Sequence, residues 1–390
     1  MRTAFRQLFL QLSMAVSILP TLACMGAETA QRTVQTISGM PAVVDHNNLY
    51  SETRSDRMNP VVAKHLSRVY VPNRTSNDVW VIDPESLKVI DKFKVGINPQ
   101  HVVPSWDLKT LWVNNNAEGR KDGSVTPIDP LTGKPGANIP VDDPYNMYFT
   151  PNGDAAIVVA EAHKRLDFRD PQTMATKYSI ATPDCRGINH ADFSIDGRFA
   201  IFTCEFAQSL VKIDLIDKKV VSYLRLSKGG MPQDVRVAPD GKVFYVADMK
   251  AAGVFIVDAD KFTEIGLIPT GIGAHGLYPS RDGTKLYVAN RGVAKVYGPP
   301  KGKGSVSVIE FATRKVETTW VIPGGGSPDM GNVSIDGKKL WLSGRYDNEV
   351  YIFDTTNGSV KKIPVKTEPH GLTVWPQPGR YSLGHTGNMR

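Results

Sequence analysis

The 390-residue chain has little of what usually announces catalytic chemistry. It contains three cysteines, Cys24, Cys185 and Cys204, and no Cys-x-x-Cys-His run, which excludes a covalently attached haem. A Gly-rich phosphate loop and a Gly-x-Ser-x-Gly nucleophile elbow are both absent, so neither of those nucleotide or hydrolase sites is encoded. Beyond residue 22 no segment holds 18 consecutive apolar residues, which excludes a later membrane-spanning helix. One-signed charge is also scarce. The formal excess of +7 is spread along the chain, with small clusters only at Lys301/Lys303 and Lys361/Lys362/Lys366. Such dispersion describes a solvated surface better than a nucleic-acid face.

What is present begins with a leader. Arg2 and Arg6 precede an apolar stretch from Leu8 to Leu22, and small residues follow at Ala23, Gly26 and Ala27. This layout predicts a secretory signal peptide over residues 1–23, an N-terminal extension over 24–59 and a folded body over 60–390. Loss of the leader takes the net charge from +7 to +5 and places the mature chain in the periplasm or outside the cell. Thr21-Leu22-Ala23-Cys24 resembles a degenerate lipobox, so lipidation of Cys24 is the one membrane attachment expected. Cys185 and Cys204 then remain as an even pair in an oxidising compartment. A disulfide between them is open, because strand register does not set them directly opposite each other.

The folded body repeats. Counting from Tyr70, aromatic or branched strand centres recur at Trp112, Ile157, Ile201, Tyr245, Tyr287 and Trp341, in steps of 42, 45, 44, 44, 42 and 54 residues. Each of the last five lies four residues beyond the glycine of a turn dipeptide: Asn152-Gly153, Asp196-Gly197, Asp240-Gly241, Asp282-Gly283 or Asp336-Gly337. Such dipeptides supply the positive φ of two-residue hairpins. A third strand with alternating valines closes on an acid, as at Asp83, Asp258 and Asp354, and a fourth follows a short turn. Acids recurring once per repeat read as turn residues. Four antiparallel strands per 44 or so residues predict an all-β, seven-bladed propeller. The ring is closed by pairing the N-terminal strand near Tyr70 with a C-terminal strand near His370, and residues after Tyr381 are left as a tail or swapped edge. Val293 to Gly304, inserted in the longest step, reads as a surface loop.

Tyr70-Val71-Pro72-Asn73, and Leu286-Tyr287-Val288-Ala289-Asn290 after Asp282-Gly283, resemble the repeat of the YVTN β-propeller family over roughly residues 60–385. The resemblance implies a seven-bladed propeller, commonly exported. A more distant one joins it to the d1-haem propeller of nitrite reductase. Neither implies an activity, because propellers carry many functions.

Superposing the repeats finds a candidate site. The leading residues of the first strands form one ring of Gln100, Tyr145, Asn189, Gln233, His275, Asp329 and His370. The next ring is His101, Asn146, His190, Asp234, Gly276, Met330 and Gly371. Four of the eight histidines therefore fall on two neighbouring rings at one channel mouth. The others, His46, His65, His163 and His385, read as surface residues. Three readings fit the rings. A wet channel needs polar lining. Gln100, Asn189, Gln233, Asp329 and the histidines could bind a small polar ligand, or dock a protein partner. His101, His275 and His370 could hold a transition metal or a haem iron for redox or lyase chemistry.

Overall fold

The computed structural model describes residues 34–390, so the expected signal peptide and Cys24 lie outside the described residues. Seven sheets form, six of four strands and one whose edge is split in two. Their innermost strands run in chain order: Pro99–Pro104, Pro144–Phe149, Ile188–Phe193, Pro232–Val237, Ala274–Pro279, Pro328–Val333 and Thr373–Trp375. We number the blades 1 to 7 in that order. Blade 7 closes the ring as expected, the C-terminal Thr373–Trp375 pairing antiparallel with the N-terminal strand Arg68–Asn73.

The burial pattern follows from this architecture. A blade packs its two faces against its neighbours, so inner strands are buried along their whole length, as in Pro232–Val237. The outermost strands alternate instead, as in Lys88–Lys94, where one face meets solvent. Inner strands of adjacent blades are also stapled by polar side chains. Asp192 accepts from the Val237 N–H at 2.8 Å, Asp234 from Leu277 at 2.9 Å, and Asn332 from Val374 at 2.8 Å. Tyr148 and Tyr278 accept likewise from Ala191 and Gly331. Part of the channel's polarity is thus spent satisfying buried N–H groups.

Two sequence expectations need correction, and the disulfide left open is formed. The Asp-Gly turns are not two-residue hairpins. Ser194 N–H donates to the Phe199 carbonyl and Gly197 N–H to Ser194, which makes a four-residue loop with Gly197 at φ 78°. Asp196 side-chain oxygen caps this loop through the Arg198 N–H, so the aspartate shapes a longer turn. Cys185 and Cys204 are joined as a disulfide with Cα atoms 4.8 Å apart. Cys204 pairs in register with Ile188, and Cys185 reaches it from the turn just before that strand.

The second correction concerns the C-terminus. Residues after Tyr381 are neither tail nor swapped edge. They cross the lower end of the channel, fully buried at Ser382, His385 and Thr386. His385 N–H donates to the Met147 carbonyl and Phe149 N–H to Leu383, while Thr386 hydroxyl reaches Gly331 and Arg390 reaches Asp192. Blades 2, 3 and 6 are thereby tied together by one short segment. Residues 34–59 strap the same end from outside, with Ile37 and Leu49 donating to Asp196 and Pro239 in the loops of blades 3 and 4.

Candidate functional site at the channel mouth

The first ring lies where superposition placed it, and its members support one another. Gln100 amide donates to Asn116 at 3.1 Å, and Asn189 and Gln233 both donate to the Glu205 carboxyl, at 3.2 and 3.0 Å. Asp329 is wholly buried and takes two bonds from Arg291, at 2.9 and 2.7 Å. His275 turns Nδ1 to the same carboxylate at 3.0 Å, and His370 holds Nε2 3.5 Å from it while Nδ1 donates to the Gln100 carbonyl. Burial lowers both imidazoles well below their ordinary range, so they are neutral at pH 7.

Beneath that ring the imidazoles converge differently from the grouping His101, His275 and His370. Among the described residues, the side chains whose nitrogens all lie within 4.8 Å of one another are His101, His190 and His385. His385, expected at the surface, is fully buried on the axis, because the C-terminal segment carries it there. Gly371 makes the room this needs, since a Cβ there would come within 2.1 Å of the His101 ring.

Above the first ring is a third, formed by the residue that follows each second strand: Asn116, Glu161, Glu205, Met249, Arg291, Arg345 and Arg74, in blades 1 to 7. It divides the mouth electrically, with arginines on blades 5 to 7 and glutamates on blades 2 and 3. Arg74 pairs with Glu118 and Glu368, and Arg345 with Glu368 at 3.1 Å. Among the described residues the two glutamates have no ion-pair partner. Burial, and repulsion from Glu205 and Asp143, push Glu161 up to about 8, and burial raises Glu205. These rings enclose a cavity of about 770 Å³, lined by Gln100, Tyr145, Gln233, His275, Glu161, Glu205, Arg291 and Arg345 among others.

The YNCE-like beta-propeller family model matches residues 59–378. The chain belongs to that family. A comparison with curated protein sequences finds no match. Among solved structures, this YNCE-like propeller is similar to hydrazine synthase of Kuenenia stuttgartiensis, with 20% identity, a TM-score of 0.56, and 70% of this chain and 88% of that one covered. It is similar to a functionally unknown protein of Desulfotomaculum acetoxidans, at 14% identity and TM-score 0.62, covering 79% of this chain and 98% of that one. A third likeness is to the dihydro-haem d1 dehydrogenase NirN in complex with DHE, at 14% identity and TM-score 0.57, covering 87% and 79%. These likenesses are of fold.

The YNCE-like propeller carries one addition at its mouth. The insertion read as a surface loop places Val296 and Tyr297 on the cavity wall, and Tyr297 hydroxyl reaches Glu118 of blade 1. Arg345 lies 5.9 Å from the Tyr297 ring. Sequence reasoning missed the third ring, although the same superposition moved to the end of the second strand exposes it.

Proposed function

We propose that the channel mouth binds a small polar ligand, its anionic group facing Arg291 and Arg345 and its amine or hydroxyl end facing Glu161 and Glu205. The partition of charge around a single cavity carries this reading. The volume of about 770 Å³ suits a small molecule. A ligand amine or hydroxyl can bond these two carboxyls, whose pKa values burial raises, and an ammonium there would favour their ionised form. With its leader, the protein acts in the periplasm or outside the cell as a binding module.

The test is a thermal-shift screen of free amino acids, sugar acids and inorganic phosphate on the mature chain. Stabilisation by probes bearing both an acid and an amine is expected, lost in Arg345→Gln and kept in His46→Gln, whose residue lies in the strap at the opposite end. No stabilisation by any probe, or equal stabilisation of Arg345→Gln, contradicts it.

A second reading, redox or lyase chemistry with a haem or metal in the mouth, is favoured by His275, whose Nδ1 is turned to Asp329 and whose ring forms part of the cavity floor. It requires a chromophore or metal in protein isolated from its native source, lost in His275→Ala. A featureless spectrum together with metal-free protein removes it.

A further inference from the structure

Three imidazoles below the cavity floor are buried without adequate partners. His101 is fully buried, its Nδ1 donating to the Tyr145 carbonyl at 3.0 Å. A carbonyl only accepts, so the proton sits on Nδ1, and Nε2 offers its lone pair with nothing to meet it. His190 Nε2 is likewise unpartnered, while its Nδ1 accepts from the Asn146 amide at 3.0 Å and lies 3.4 Å from the Tyr148 hydroxyl, so the resting ring carries its proton on Nε2. Neither nitrogen of His385 has a hydrogen bond. Each such orphan has lost its water without gaining a bond in exchange.

The chain also adopts an unusual backbone to put the third ring there. His385 has φ 53°, a left-handed conformation that glycine adopts more cheaply, and it stands between Gly384 and Thr386. Backbone of this kind persists where the surroundings over-determine it, often at ligand sites. The ring stacks on His190 with centroids 4.6 Å apart and lies 5.5 Å from His101.

We propose that His101, His190 and His385 hold one transition-metal ion of the zinc class on the propeller axis, with the C-terminal segment supplying the third ligand. Neutral imidazoles suit such an ion, and three of them leave a fourth position open. Metal–nitrogen bonds of about 2.0–2.1 Å need each ring to move inward by roughly 0.8 Å from the present spacing. His101 Nδ1 is supported as a ligating histidine requires, by a carbonyl. His190 ligates through Nε2 once the ring proton moves from Nε2 to Nδ1, the Asn146 amide turns away and the Tyr148 oxygen accepts that proton. Asp234, 3.5 Å from His385 Nε2, supplies nearby negative charge. The ion also ties the C-terminal segment to blades 1 and 3.

The test uses the full mature chain, stripped with chelator and reloaded with Zn²⁺. Elemental analysis after desalting is expected to give one zinc per chain. His385→Gln is expected to weaken binding by more than the roughly 10–100-fold that loss of an outer-shell partner costs. His163→Gln should bind as the unaltered chain does. Zinc should slow amide exchange over residues 381–390 in the parent protein and leave His385→Gln unchanged. Should His101→Gln fail to fold, His385→Gln decides alone. The assignment is overturned by water-only occupancy with no retained zinc, by equal retention in His385→Gln, or by loss in His275→Gln or His370→Gln as complete as in His385→Gln.

Discussion

At the residue scale the mouth is defined by a position just past each second strand, where the chain spends arginine on one side and glutamate on the other. Glu161 shows what this does to a titration. Its folded pKa of about 8 stands above the ordinary 4.5, so the folded state holds a proton that the unfolded chain releases. That contribution to stability is fully present below about pH 4.5 and is lost as pH rises to about 8. Glu161→Gln should therefore flatten the fall in denaturant midpoint between pH 5 and 9. An unchanged slope would mean the carboxyl ionises freely. The recurring aspartates are different. Asp83, Asp214 and Asp354 each accept from two following N–H groups, as turn caps do.

At the element scale, strands and closure were legible because burial on a pleated sheet imposes a period of two and the blade imposes its own longer one. The first ring was legible for the same reason: equivalent positions in repeated strands must meet at the axis. His385 was not. The segment after Tyr381 has no copy elsewhere in the chain, and its place is set by hydrogen bonds to strands distant in sequence, such as those to Met147 and Gly331. Loop length also escaped, since an Asp-Gly pair serves two-residue and four-residue turns alike. The disulfide bridges 19 positions within blade 3. Replacing both cysteines by serine should cost about 3 kcal/mol, read as a lower guanidinium midpoint. An unchanged midpoint would show that the pair is not oxidised in the working protein.

At the scale of the whole molecule, the ends of the described chain do related work. Arg68–Asn73 and Thr373–Trp375 close the ring in one blade, and the last residues seal the lower end of the channel. The upper end opens into the cavity beside the Tyr297 loop, which is where the proposed ligand would enter. The proposed export would bring this closed body to an oxidising compartment, where a disulfide persists. The most direct measurement is native mass spectrometry of mature protein purified without denaturant, beside Arg345→Gln. A small polar species bearing an acid group, one per chain and absent from the variant, is expected. Protein that carries nothing, or a species retained equally by Arg345→Gln, would contradict a ligand-binding mouth.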